Sequence, residues 1–220
     1  SQVDGELFSI CTRIDSKIVC KGIWDRYGRN FEKTIIDYSL GGSGGQCVVL
    51  DDGELSCWGS SIADFVETAP LALDALQVGV GENFGCYLDR SKAIKCWGDI
   101  GLPPSLSGET ELPRDLVAKN ESVCAIGDRS VNCWGAIGII SIHSDSLLAS
   151  VDLGESHGCA SFKGASISFT STDDVASNVR NNNVCWGRES LGALEIPADI
   201  VFESLGAGFQ HTCGASADGI

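Results

Sequence analysis

Eleven cysteines stand in this chain, and ten of them fall into pairs. Cys11 and Cys20, Cys47 and Cys57, Cys86 and Cys96, and Cys124 and Cys133 are nine or ten residues apart, Cys159 and Cys185 are 26 apart, and Cys213 follows alone. Paired thiols can oxidise to a disulfide or, as thiolates, ligate a soft metal. Zinc centres gather four ligands, often as Cys-x-x-Cys, and these spacings are wider. In a reducing cytosol so many thiols would be metal ligands or buried single residues; in a secreted or lumenal protein they would be disulfides. Five bridges are therefore expected, Cys11–Cys20, Cys47–Cys57, Cys86–Cys96, Cys124–Cys133 and Cys159–Cys185, with metal ligation as the weaker alternative. Cys213 is expected to lack its partner, which would lie some ten residues on, past Ile220; a free thiol or an intermolecular bridge is the alternative.

A bridge needs an element that holds its two cysteines face to face. With Cys47 opposite Cys57, Val48 faces Ser56, Val49 faces Leu55 and Leu50 faces Glu54, leaving Asp51-Asp52-Gly53 as a three-residue turn. Glycine in third place supplies the positive φ of a type I turn with a G1 bulge. The same exercise leaves Asp128-Arg129 between Cys124 and Cys133 and Asp15-Ser16 between Cys11 and Cys20. Each pair thus predicts a β-hairpin whose cysteines form a non-hydrogen-bonded cross-strand pair, close enough to bridge.

The hairpins repeat. Second cysteines run into Trp58-Gly59, Trp97-Gly98, Trp134-Gly135 and Trp186-Gly187, with Lys21-Gly22 in a degenerate first copy. First cysteines step by 36, 39, 38, 35 and 54 residues, and the last step returns to 38 once the 16 extra residues inside the fifth hairpin are discounted. Glycine recurs five residues before the first cysteine at Gly42, Gly81, Gly154 and Gly208, and His157 and His211 stand two before it. Short apolar runs separated by turn residues fill the rest, with no amphipathic 3.6-residue periodicity. A period of about 38 residues built from short strands predicts an all-β fold, a β-propeller of four-stranded blades. Residues 1–220 are expected to form a single β-propeller domain with hairpins near 11–20, 47–57, 86–96, 124–133, 159–185 and 213–220: five full repeats and part of a sixth, incomplete at the C-terminus.

These features resemble the regulator of chromosome condensation repeat superfamily. The resemblance rests on Gly208, His211, Cys213, Asp218 and Gly219 in the last copy and Gly154, His157, Cys159, Cys185, Trp186 and Gly187 in the fifth. The segment "CWGRESLGALEIPADI" (185–200) is similar, with departures, to the Trp-Gly-Asn-Gly-Gln-Leu-Gly stretch of that family. It implies a propeller, usually seven-bladed, that further residues or another chain would have to close. The cysteine-bearing repeat looks most like extracellular members, the plant Crinkly-type receptor ectodomains and secreted microbial repeat proteins. The family's nuclear founder is a GTPase exchange factor. The paired cysteines and acidity of this chain depart from it, so neither exchange activity nor chromatin binding is carried over.

Charge and composition narrow the function. The net charge is −15, from 30 acidic and 15 basic residues, and no basic run interrupts it. Such a surface repels phosphate backbones and anionic headgroups, so no nucleic-acid partner is expected. No stretch of about 18 apolar residues is present, so no membrane span is expected within the chain. It begins at Ser1 and holds no methionine, which fits a cleaved mature chain or a piece of a longer one. Neither a Gly-x-Ser-x-Gly elbow nor a phosphate-binding loop occurs, and no catalytic residue or cofactor is assigned. Trp58, Trp97, Trp134 and Trp186 share one repeat position and are expected to pack between blades. His157 and His211 belong to the repeat and His143 stands alone, so no metal site is expected. Asp51, Asp52, Asp128 and Asp218 lack calcium-loop spacing and are assigned to turns.

Two features break the pattern. The insertion "FKGASISFTSTDDVASNVRNNN" (162–183) is polar and about 16 residues longer than its equivalents, and is the candidate binding loop through Phe162, Lys163, Thr170, Asp173, Asp174, Arg180 and Asn183. Asn120-Glu121-Ser122 is a glycosylation sequon and could place carbohydrate on Asn120. The expected role is non-enzymatic protein binding by a secreted, extracellular or lumenal propeller. The alternative is self-assembly as a structural subunit of an extracellular assembly or filament; an exchange factor or enzyme ranks below both.

Overall fold

The computed structural model describes residues 2–6, 9–22, 28–60, 64–101, 111–164, 166–172, 175–188, 193–197, 200 and 202–216, with side chains from Ile10 onward. Among these residues there is no α-helix; twenty-one strands and a 3-10 turn, Asp64–Val66, carry the fold. The chain divides into two units, residues 1–103 with 118–121, and residues 104–117 with 122–220.

In the first unit, β1 (Gln2–Glu6), β2 (Ser9–Ile14), β3 (Lys17–Gly22) and β4 (Arg29–Asn30) form one antiparallel sheet in chain order. Two more sheets follow with the same topology: β5 (Ile35–Leu40), β6 (Gly45–Leu50) and β7 (Leu55–Gly59), then β8 (Ala75–Val80), β9 (Phe84–Asp89) and β10 (Ile94–Gly98). β6 and β9 are buried along their whole length, as the middle strand of a sheet covered on both faces must be. Their apolar runs "CVVL" and "FGCYL" are accordingly continuous, not alternating.

From residue 104 onward the strands are β11 (Asp115–Lys119), β12 (Ser122–Ile126), β13 (Ser130–Gly135), β14 (Ile140–Ser144), β15 (Leu148–Leu153), β16 (His157–Phe162), β17 (Ile167–Ser171), β18 (Ala176–Arg180), β19 (Asn183–Gly187), β20 (Phe202–Ala207) and β21 (Thr212–Ser216). They make sheets in the orders β11-β12-β13-β14-β17, β15-β16-β19-β18 and β20-β21. The core is gathered by Cys124, Ile126, Val131, Ile140, Ile142, Leu153, Phe162, Val184 and Trp186.

Two regularities had no visible signature in the repeat. The first strands of four sheets carry a register shift at one place, between Ile35 and Asp37, Ala75 and Gln77, Leu148 and Ser150, and Phe202 and Ser204. Each admits one extra residue and bends the strand, as a β-bulge does. Beyond the bulge, two of these strands accept hydrogen bonds from the backbone of the next sheet's first strand. Asp37 Oδ2 accepts from Val78 N at 2.8 Å and Ser39 Oγ from Val80 N at 3.0 Å. Ser150 Oγ accepts from Leu205 N at 3.0 Å and Asp152 Oδ2 from Ala207 N at 2.8 Å. The bond order is Asp-then-Ser in one place and Ser-then-Asp in the other, so the paired position is kept while the side chains exchange. These bonds give side-chain acceptors to amides on the edges of β8 and β20.

Candidate binding surface

The hairpin registers put each cysteine pair opposite one another: Cys11 with Cys20, Cys47 with Cys57, Cys86 with Cys96, Cys124 with Cys133, and Cys159 with Cys185. All five pairs are bonded, with Cα–Cα separations of 4.0 to 4.1 Å. The turn sets this up. Leu50 N bonds Glu54 O, Asp89 N bonds Ala93 O, Gly127 N bonds Ser130 O and Phe162 N bonds Asn182 O. Hydrogen-bonded and non-bonded pairs alternate along an antiparallel ladder, and in each case the cysteine pair lands, three steps out, on a close non-bonded one. Gly53, at φ 92°, closes the Asp51-Asp52-Gly53 turn as expected.

The Trp-Gly exit is structural as well. Gly22, Gly59, Gly98, Gly135 and Gly187 all have positive φ, between 86° and 156°. Trp97 and Trp186 lie across the strand from Gly85 and Gly158, where an added Cβ would fall 2.2 and 2.6 Å from the indole. Likewise a Cβ at Gly154 or Gly208 would meet His157 or His211, so each histidine ring rests on a glycine. His157 Nε2 is 2.8 Å from Thr212 Oγ1. The indoles of Trp97 and Trp186 and the rings of His157 and His211 thus rest on glycines of their own repeats. Among the described residues no group of three His, Cys, Asp or Glu is placed to hold a metal.

Charges at the turns brace the hairpins. Lys33 Nζ bridges Asp52 at 2.7 Å and Glu54 at 2.6 Å. The hydrogen bonds that Lys33 donates to Asp52 and Glu54 push the lysine up, and the one to Asp52 holds that carboxyl below its usual range. Asp89 is buried; Ser91, Lys95 and Ala93 N donate to it, and these bonds outweigh its desolvation and hold its carboxyl down at about 2. At Glu111, burial pushes the carboxyl up, but bonds from Arg129 N, Ser130 Oγ and Asp128 N prevail and lower it. Asp128 and Arg129 are thereby fixed by a residue outside their own hairpin.

The segment 162–183, expected as a polar loop, is not a loop. It folds into two strands that extend two different sheets. β17 pairs with β14, with Phe169 opposite Ile142, and becomes the fifth strand of that sheet. β18 turns at Asn181-Asn182 and pairs with β19, supplying the fourth strand of the next sheet. The apolar alternation Ile167-x-Phe169, which places both side chains against the core of the unit, was the signal in the sequence.

The candidate residues separate accordingly. Phe162 is fully buried in that core and Asn183 is buried, its Nδ2 donating to Ile200 O at 3.1 Å. Arg180 donates to Ile196 O at 3.2 Å, and its neighbour Asn178 to Leu194 O at 2.8 Å, so β18 ties down the stretch after β19. Leu194 and Ile196 pack there over the Cys159–Cys185 bridge. Lys163 and Thr170 are exposed, Thr170 with its hydroxyl 3.3 Å from Ser141 O. Asp173 and Asp174, like Asp218 and Gly219, lie outside the described residues. Cys213 is exposed and unbridged on β21, whose single described neighbour is β20; its other edge corresponds to the one that β3, β7, β10, β13 and β19 occupy in the other sheets. Asn120 has φ 47° and its carbonyl accepts from Glu82 N, while Ser122 of the sequon is buried with its hydroxyl accepting from Ile137 N.

No family profile matches the chain. Solved structures do. The Crinkly WD40 ectodomain of the Arabidopsis thaliana receptor kinase ACR4 is 22% identical with a TM-score of 0.65, over 98% of this chain and 74% of that one. The ectodomain of the Physcomitrella patens receptor kinase CR4 is 17% identical with a TM-score of 0.58, over 79% of this chain and 51% of that one. Prp20p from Saccharomyces cerevisiae, whose binding to Gsp1p and histones has been described, is 12% identical with a TM-score of 0.69, over 99% and 69%. What is shared at these identities is the fold: the chain is an all-β repeat protein built from β-propeller blades of about 38 residues.

Proposed function

We propose that this repeat β-propeller is a non-enzymatic protein-binding domain that works outside the reducing cytosol, in the cysteine-paired branch of the regulator of chromosome condensation-type superfamily. The observation that carries this is the position of the five bridges. Each crosses the hairpin of one blade repeat, so the oxidised cysteines are part of the repeat's design and are at home in a secreted or lumenal compartment. The extracellular Crinkly ectodomain shares the fold, and repeat scaffolds of this kind bind macromolecules through exposed surface. The surface assigned is the one where the repeat is broken: the outward side of the insertion, with Lys163 and Thr170. The 220 residues belong to one propeller, seven-bladed when complete, whose ring further residues or another chain would close. Asn120 carries a glycan.

The test has two parts. Mass spectrometry of the unreduced, thiol-blocked protein should find five hairpin bridges and one alkylated cysteine; ten or more alkylated cysteines would remove the extracellular assignment. Capture of extracellular proteins by the immobilised chain should then be abolished by Lys163→Glu/Thr170→Lys and retained by Lys92→Glu on another hairpin. Equal capture by all three would move the binding surface elsewhere. Loss of mass on enzymatic deglycosylation checks Asn120.

A further inference from the structure

The geometry points to the free edge of β17 as a self-pairing edge, on which β17 of a second copy of this chain adds antiparallel, centred on Phe169. This deepens the assignment of the insertion as the contact surface and names its occupant. β17 ends a five-stranded sheet and has β14 as its single described neighbour. Thr172 N bonds Ile139 O, which makes residues 168 and 170 the ones whose backbone faces β14. The N–H and C=O groups of Ile167 and Phe169 therefore point away from the sheet. Open edges of this kind are blunted in natural proteins by charge, proline or bulges. β4, β10 and β18, which end three other sheets, carry Arg29, Lys95 and Arg180. β17 carries none of these devices: residues 164–172, Gly-Ala-Ser-Ile-Ser-Phe-Thr-Ser-Thr, are neutral in a chain of net charge −15.

A second copy fits this edge by charge and register. Two chains of the same strong charge repel, so a contact between them needs a neutral meeting place, and β17 offers one. Centring on Phe169 makes the two Phe169 residues a hydrogen-bonded pair. It sets Ser168 opposite Thr170 of the second copy as a close non-bonded pair, a hydroxyl pairing that favours sheets. The half-buried Ile167 and Phe169 extend the inner face across the joint, and the exposed Ser168 and Thr170 extend the outer one.

Sedimentation equilibrium of the whole oxidised chain tests this. The mass should rise from 23.1 kDa toward twice that value with concentration. Ser168→Lys/Thr170→Lys sets lysine against lysine across the joint on an exposed face and should hold the chain at monomer mass with unchanged thermal unfolding. Ser168→Glu/Thr170→Lys sets the new carboxylate of each copy against the new ammonium of the other, twice over, and should restore the dimer. In the dimer, amide exchange of Ile167 and Phe169 should slow at least tenfold. A wild-type monomer at every concentration, or a dimer indifferent to both variants, overturns self-pairing. Either result leaves the capture experiment to decide whether the insertion binds a different protein.

Discussion

Two bridges in the same unit should differ in worth, because they close chain segments of different length. Cys124–Cys133 spans 9 residues and Cys159–Cys185 spans 26. On the chain-entropy account, a cross-link destabilises the unfolded ensemble by about 2.6 kcal/mol for the short segment and about 3.5 kcal/mol for the long one, a difference of roughly 0.9 kcal/mol. All four cysteines are buried, so replacing each pair by alanine removes similar packing and the difference survives subtraction. The assay is urea unfolding of Cys124→Ala/Cys133→Ala and Cys159→Ala/Cys185→Ala beside the oxidised parent, with protection of β16 and β13 amides as local probes. The longer bridge should be the costlier loss. An equal or smaller cost would refute the reasoning, and would mean that the β18–β19 hairpin persists in the unfolded chain and shortens the effective segment.

Other perturbations reach different parts of the structure. Asp89 titrates lower folded than unfolded, so its contribution is complete above pH 4 and is lost as pH falls toward 2. Acid unfolding of Asp89→Asn should lack that dependence, the parent losing about 1–2 kcal/mol more over the interval. Asp152→Ala removes the carboxylate oxygen that lies 2.8 Å from Ala207 N and should cost about 2 kcal/mol, seen as faster amide exchange in β20 and β21 with β12 and β13 unchanged. Gly158→Ala puts a methyl 2.6 Å from the Trp186 ring and 2.8 Å from Leu153; it should cost roughly 1–3 kcal/mol and shift tryptophan emission, whereas Gly206→Ala, with nothing within 4 Å, should do neither.

The cysteine spacing carried most of the architecture, because a hairpin's register follows from its turn and a bridge follows from the register. Asp51-Asp52-Gly53 and Asp128-Arg129 can be placed by counting residues inward from the bridges. The positive φ at Gly59, Gly98, Gly135 and Gly187 is written in the sequence as a repeated exit glycine, although its conformational meaning appears only in the fold. The insertion reads as a loop because its polar composition masks the Ile167-x-Phe169 alternation. Its strands gain their stability from the edges of β14 and β19, which lie 27 residues before one and 7 after the other. The Asp37/Ser39 and Ser150/Asp152 contacts escape for a related reason. A side chain that bonds a backbone amide constrains position and leaves its identity free, so Asp and Ser can trade places without leaving a motif.

The insertion also fixes an order of assembly. A chain emerging from its N-terminus completes β13 and β14 well before β17 exists to cover the edge of β14. Cys159 must likewise wait through 26 residues for Cys185, while Cys133 has by then had its own partner since before it was made. During that interval the nascent chain exposes one uncovered strand edge and one unpaired thiol together. The stretch that later joins two sheets is thus the last clasp of both, and the period before it closes is when this protein most needs an oxidoreductase or chaperone beside it.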